Sequence, residues 1–335
     1  DRRDLFTQGA VQLGTTLQNV EKNFWVCWVL NEIFNSTHED APRVLFKGGT
    51  SLSKAYGLIE RFSEDIDITI FREDLGIEAS IDSLKEISKG ARKKKLNEIR
   101  NMCKSYIQGN LRSILVENSK KFMEEAGQDP EQLTVTVDEE DPDGQTLLVR
   151  YPTVTEADGY IAPMVKVEAG AKSALDPHEN CIIEPYISPL ITDVSFTIPN
   201  VIIIRPERTF LDKVLILHGQ PIFFLKNERL YGRGRISRHY YDIHCLIKNG
   251  IGEDTCYNND LVNDCIEHAR YFFYRKDTGL DEVSRGAFKI SPPDAVLDFL
   301  RQDYIAMQTM IFGEVPDFEQ VLASIKRAEG WLNDV

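Results

Sequence analysis

Asp65 and Asp67 stand two residues apart in the run Asp65-Ile66-Asp67-Ile68, with Lys47-Gly48-Gly49-Thr50-Ser51 shortly before them. Side chains two apart in a β-strand share a face, so the two carboxylates project together while Ile66 and Ile68 face a core. Paired carboxylates repel unless a cation lies between them, and Mg2+ is typically held by one or two carboxylates plus substrate phosphates. The glycine pair supplies the complementary half. Backbone N–H groups and small hydroxyls approach a phosphate closely where no Cβ intervenes, which makes Gly48, Gly49, Thr50 and Ser51 candidate phosphate holders. Lys54 reads either as a further phosphate cation or as a lysine on a helix surface. Glu168, in Val165-Lys166-Val167-Glu168, is the candidate third carboxylate, because a two-metal site needs ligands from separated strands. Asp65, Asp67 and Glu168 are thus the expected metal set, for Mg2+ or Mn2+.

Such groups need elements to hold them. Leu13, Leu17, Val20, Phe24 and Cys27/Trp28 recur at helical spacing and predict a helix over residues 8–35. A strand over 44–46 enters the glycine turn. A short helix over 51–61 follows, its anion-favouring N-terminus at that turn, and 66–71 is the carboxylate strand. Residues 80–126 read as one long or two shorter basic helices. Segments 133–137 and 146–151 form a hairpin across the acidic turn 138–144. Residues 160–169 are a further strand on which Lys166 and Glu168 share one face, 184–197 have β-like and loop character, and 201–204 are a buried strand or a helix lead-in. From Pro206, which suits a first helical turn, the pattern is helical, continuing over 237–248, 258–275, 293–311 and the C-terminus. The expected class is α+β: a mixed β-sheet core flanked by helices over residues 1–204, with a basic helical insert at about 80–126, then a mostly α-helical domain over 205–335.

Composition bounds the function. No apolar run approaches the length of a membrane span. The chain starts without Met or an apolar leader, which reads as part of a cytoplasmic protein. The six cysteines form no Cys-x-x-Cys pair, so neither structural zinc nor a disulfide framework is expected. His239, His244 and Cys245 read as packing rather than as metal ligands. A net charge of −14 argues against a polyanionic partner, but its distribution does not. Residues 85–121 hold eleven Lys/Arg against three Asp/Glu, 205–238 hold eight against three, and 124–143 hold nine acidic residues and no basic one. Such separation suits a positive face on an acidic body, or simply solvated helices.

Four stretches, in order, carry a resemblance. Lys47-Gly-Gly-Thr-Ser-Leu-Ser-Lys54 and Ser63-Glu-Asp-Ile-Asp67 resemble the opening signature of the DNA polymerase β-type nucleotidyltransferases. More closely, they resemble the abortive-infection (AbiEii/AbiGii, MenT-like) nucleotidyltransferase toxins. Two later motifs of that family look like Pro206-Glu207-Arg208-Thr209-Phe210-Leu211-Asp212-Lys213 and Arg238-His239-Tyr240-Tyr241-Asp242-Ile243. The resemblance spans residue 44 to about 246. It implies a nucleotidyltransferase fold, transfer of a nucleoside monophosphate from an NTP, an RNA acceptor (tRNA in some relatives) and a cognate antitoxin. It also implies that Lys213 is a cation on the triphosphate, that Asp242 orients Lys213 or acts near the nucleotide, and that Arg208 helps bind the nucleotide. The plainer alternatives are structural pairing of Asp242 with Arg208 or Arg238, a surface ridge for Lys213, and core packing for Tyr240 and Tyr241. Ser63 is a candidate modification site, since a phosphate there would add negative charge beside the carboxylates. The expected activity is Mg-dependent nucleotidyl transfer to RNA by a toxin active in phage defence. Transfer to a small-molecule or protein hydroxyl, or nucleotide binding without turnover, are the other readings.

Overall fold

The computed structural model describes residues 2–38, 40–63, 65–155, 162–190, 196–230 and 235–334. The first two residues of the strand expected over 160–169, and residues 191–195 of the β-like segment, lie outside the described residues. The chain divides into two compact units. The first comprises residues 1–55, 62–79 and 87–204; the second comprises 56–61, 80–86 and 205–335.

The first unit is built on a seven-stranded mixed sheet of β1 (Val44–Lys47), β2 (Asp65–Ile70), β3 (Thr134–Val137), β4 (Thr146–Arg150), β5 (Met164–Gly170), β6 (His178–Ile183) and β7 (Ile198–Ile204), ordered β3-β4-β5-β2-β1-β7-β6. The β2/β5 and β1/β7 pairs are parallel and the others antiparallel. Strand alternation divides each strand as the sequence pattern requires. Ile66, Ile68, Val165, Val167, Leu147 and Val149 are fully buried. Each contributes about 1.5–3 kcal/mol, and a slip of one residue would drive Asp65 and Asp67 into that core. The register of the carboxylates is therefore set by the isoleucines between them.

Two helices, α1 (Arg2–Leu13) and α2 (Leu17–Asn35), replace the single helix expected over 8–35. Gly14 takes a left-handed φ of +61° and Thr16 caps α2, its side chain accepting from the Asn19 N–H at 3.2 Å. Helix α2 packs on β2, β5 and β7. Its Trp25 stacks on Tyr151 at 5.2 Å and meets Phe122 edge-on at 5.9 Å. Helix α3 (Gly48–Lys54) is the second correction, because it begins at the first glycine and stops at Lys54 instead of running over 51–61. Gly57, with φ of +61°, lies in the segment where the longer helix was expected. The basic region separates into α4 (Ile81–Lys85), which belongs to the second unit, and a long rod. That rod is α5 (Lys89–Tyr106), a π-helical turn over Ile107–Leu111, and α6 (Arg112–Glu125). The β3–β4 turn uses its acids structurally: Asp141 accepts from the Gln145 N–H at 2.7 Å and from Thr146 Oγ1 at 2.8 Å, and Asp143 pairs with Arg100 of α5 at 3.2 Å.

The second unit is helical: α7 (Pro206–Asn227), α8 (Ser237–Lys248), α9 (Glu253–Tyr257), α10 (Asn259–Phe272), α11 (Asp294–Met307) and α12 (Phe318–Asn333). Pro206 opens α7, where its missing N–H costs no hydrogen bond. Helix α8 packs against α7, α11 and α12, and Tyr240 and Tyr241 are core residues at 1% exposure each. The segment 56–61 joins this unit by backbone pairing of Arg61 with Ile311 and by the Phe312 N–H donating to the Glu60 carbonyl at 2.6 Å. No helix among the described residues is long and apolar enough to cross a membrane.

Candidate active site

The chemistry of the first unit gathers where β1 passes without a loop into α3. Gly48 makes that transition with φ of +81°, a left-handed conformation that side chains disfavour. A β-carbon there would also press into Asp67, with the carboxyl carbon at 2.9 Å. Only glycine lets this backbone lie against the carboxylate. The Thr50 and Ser51 hydroxyls are fully buried and turned inward. Thr50 Oγ1 donates to the Asp65 carbonyl and lies 2.8 Å from Ser63 Oγ, while Ser51 Oγ donates to the Gly48 carbonyl at 2.9 Å. These hydroxyls fasten α3 to β2, so the groups of the turn suited to a phosphate are backbone N–H groups of the first helical turn, which have no intrahelical acceptor. Lys54 lies over the Tyr186 ring, 3.5 Å from its centroid.

The carboxylates occupy one row of the sheet. Asp65 and Asp67 share a face of β2 and are half-buried. Asp67 is in register with Glu168 on β5 and with Lys47 on β1, and Asp65 with Lys166. Lys47 Nζ stands 3.9 Å from Asp67, and Lys166 Nζ is 3.0 Å from Glu168 and 3.5 Å from Asp138. Burial opposes the Lys166 charge, but Glu168, Asp138 and Asp65 outweigh it and raise its pKa above the usual lysine value. Among the described residues no three His, Cys, Asp or Glu side chains are grouped to hold a metal. The three-carboxylate set expected from Asp65, Asp67 and Glu168 is thus not assembled, because Lys166, two residues before Glu168 on the same face, pairs with it. What does fit a hard divalent ion is Asp65 and Asp67, cradled by the side-chain-free backbone of Gly48; such an ion commonly takes one or two carboxylates and completes its shell with phosphate oxygens and water.

A separate buried cluster lies within the second unit. Asp242 of α8 is fully buried and accepts from Arg61 through both oxygens, Nε to Oδ1 at 2.7 Å and Nη2 to Oδ2 at 2.8 Å. Lys213 of α7, 7% exposed, reaches Asp242 Oδ2 at 2.9 Å. Burial alone would raise the Asp242 carboxyl, but Arg61 and Lys213 hold it well below the usual carboxylate range. Burial lowers Lys213, with Arg61 and Arg238 adding to the effect and Asp242 opposing it. Burial likewise keeps the adjacent His239 neutral, reinforced by Lys213 and Arg238. The structure therefore pairs Asp242 with Lys213 and with Arg61, not with Arg208 or Arg238. Arg208 turns to Asp212, at 3.3 Å, and to Asp264. His244 bonds Ser324 Oγ at 2.8 Å.

Sequence reasoning missed Arg61. Its signal, an arginine four residues before the first carboxylate, was present, but its partner lies 181 residues away.

A family model described as "Nucleotidyl transferase AbiEii toxin, Type IV TA system" matches residues 28–324. The chain belongs to the AbiEii nucleotidyltransferase toxin family. It is accordingly a nucleotidyltransferase enzyme, of a family of toxins from type IV toxin–antitoxin systems. Among solved structures it is similar to MenT4, a nucleotidyltransferase toxin from Mycobacterium tuberculosis H37Rv. That likeness has a TM-score of 0.52 at 16% identity, over 99% of this chain and 90% of the other. At that identity it speaks for the fold alone. No curated protein sequence matches. The two motifs of this AbiEii chain that stand closest in sequence, the glycine turn and the Asp-x-Asp strand, are also joined in space, through Gly48 and Asp67.

Proposed function

We propose that this AbiEii-family chain transfers a nucleoside monophosphate from an NTP to an RNA acceptor, with tRNA the favoured class, in a reaction that depends on Mg2+ or Mn2+. The observation that carries the reading is the fit of Gly48 to Asp67, which sets a phosphate-binding backbone beside a carboxylate pair. Asp65 and Asp67 would hold the divalent ion, whose charge offsets the triphosphate and favours loss of the acceptor hydroxyl proton. The backbone of Gly48 and Gly49 receives phosphate oxygens, while Thr50 and Ser51 keep that backbone rigid. Lys213 supplies positive charge toward the phosphates, held in place by Asp242. Transfer of this kind is mostly positioning and charge stabilisation, and these residues do both. Glu168, engaged with Lys166, completes the sheet row and limits where Lys166 can lie.

The RNA assignment rests on charge. Lys93 and Lys94 of α5 are exposed in a chain of net charge −14, and further along the rod Arg100 is matched by Asp143. The upper part of α5 therefore keeps a positive surface suited to a phosphate backbone. In this reading the protein works in the cytoplasm as the toxin of an abortive-infection pair, opposed by an antitoxin.

Incubation with total tRNA and each labelled NTP, with and without Mg2+, tests the proposal. Label should enter RNA only with the ion, and Asp65→Asn or Asp67→Asn should abolish it while leaving the melting temperature within a few degrees. No transfer with any NTP, or transfer indifferent to both variants, would sink it.

A further inference from the structure

Arg61, Asp242 and Lys213 form a charge set with a surplus. Two cations face one carboxylate, and all three groups are buried, at 5%, 0% and 7% exposure. A Lys213–Asp242 pair alone would be neutral and would offer little to an anion. Arg61 changes this through its geometry. Its planar fork takes both carboxylate oxygens, at 2.7 and 2.8 Å, and shares Oδ2 with Lys213, at 2.9 Å. Burying an uncompensated charge is costly, and a bound anion is the usual compensation. The fork is also fixed before any ligand arrives. Its backbone pairs with Ile311, the neighbouring Glu60 carbonyl accepts from Phe312, and the Leu58 carbonyl accepts from Asn249 Nδ2 at 3.3 Å.

We propose that Arg61 is a positioning residue for nucleotidyl transfer: it takes up the charge of Asp242, so that Lys213 is held in one place by that carboxylate yet keeps a positive charge for a nucleotide phosphate. This rests on the function proposed above for Lys213. The charged groups that act on Lys213 are Asp242 and Arg238 of α8 and Arg61, with neutral His239 beside them.

The test compares wild type with Arg61→Lys, Arg61→Met, Asp242→Asn and the Arg61→Met/Asp242→Asn double variant. Readouts are KM and kcat for the NTP, calorimetric binding of Mg-ATP, Mg-CTP, Mg-GTP and Mg-UTP, and titration of the Lys213 ammonium by NMR, assigned with Lys213→Met. In Arg61→Met, Asp242 neutralises Lys213, so nucleotide affinity should fall by roughly ten- to a hundredfold, the scale of one charge-assisted hydrogen bond. Lys213 should then titrate at higher pH than in wild type. Adding Asp242→Asn should restore part of the lost affinity, because the neutralising carboxylate is gone. Arg61→Lys, which keeps the charge but not the fork, should fall between. A purely structural Arg61 gives the opposite: a double variant no better than Arg61→Met and an unmoved Lys213 titration, and either result overturns the proposal. If Arg61→Met does not fold, Arg61→Lys carries the decision, with an unchanged Lys213 titration and nucleotide affinity counting against it. If wild type transfers no nucleotide, the activity reading falls, while the NMR titrations still judge the role of Arg61.

Discussion

Replacing Gly48 with alanine separates backbone strain from damage to the carboxylate site. The residue sits at φ of +81°, where a non-glycine residue costs about 1–3 kcal/mol. The added methyl would also lie 2.9 Å from Asp67 Cγ and 3.1 Å from its Cβ, against an ordinary carbon–carbon contact of about 3.5–4.0 Å. To relieve the overlap the Asp67 side chain or the turn must retreat by roughly 1 Å, and a misplacement of that size at a reacting centre costs about a hundredfold in rate. The expected total is about 2–4 kcal/mol of stability and at least about a hundredfold in kcat.

The control is Gly76→Ala, in the same unit, where φ is +74° and nothing lies within 4 Å of the new methyl. It should carry only the backbone cost of about 1–3 kcal/mol and keep its activity. Urea unfolding gives the stabilities, and transfer of labelled nucleotide gives the rates. If Gly48→Ala transfers within about threefold of wild type, a change of under 1 kcal/mol in the barrier, the argument linking the glycine turn to Asp67 is wrong. Equal destabilisation by the two variants would refute the steric part alone.

Two further outcomes follow from charge. Burial holds His218 at about 4 against an ordinary 6.5, so its neutral form contributes stability that is complete above pH 6.5 and is lost as pH falls toward 4. The contribution is about 2–3 kcal/mol, and urea unfolding of His218→Asn should show a shallower loss between pH 7 and 4 than wild type; parallel curves would count against it. Lys93→Glu/Lys94→Glu should raise KM for RNA and lower the slope of log affinity against log salt by roughly 1 to 2, as two lost phosphate contacts require. An unchanged slope would move the RNA surface away from α5.

The strand carrying the site was legible because burial is periodic: Ile66 and Ile68 announce which way Asp65 and Asp67 point. The hairpin over β3 and β4, the start of α7 at Pro206 and the extent of α8 were legible for the same reason, being local patterns with local punctuation. The break between α1 and α2 was written locally too, in Gly14 and Thr16, but the apolar repeat runs through it and outweighs the punctuation by eye. Helix α3 was misjudged at both ends. A glycine pair reads as a turn, whereas here the left-handed Gly48 is the hinge that lets a helix start at once. The pairing of Arg61 with Asp242 has no local signature, since which carboxylate a buried arginine meets is decided by tertiary packing. Lys166 and Glu168 were seen to share a face. What the pattern did not disclose is that the lysine would occupy the very carboxylate assigned to a metal.

Charge divides between the two clusters in a way that matches the two halves of a metal–nucleotide substrate. In the first unit Asp65, Asp67 and Glu168 outnumber Lys47 and Lys166, and Asp138 adds to the excess. That unit holds a surplus of negative charge tempered by lysines, which keeps neighbouring carboxylates from repelling one another apart and yet leaves an attraction for a divalent cation. In the second unit Arg61 and Lys213 outnumber Asp242, with Arg238 close enough to act on Lys213. That cluster holds a surplus of positive charge in a buried setting, where screening is weak and attraction for an anion is strong. Each surplus is costly without its counter-ion, and neither side chain set relieves the other's need within its own unit. A ligand that brings both signs, a triphosphate carrying a divalent ion, satisfies both demands, and a neutral or singly charged substrate satisfies neither.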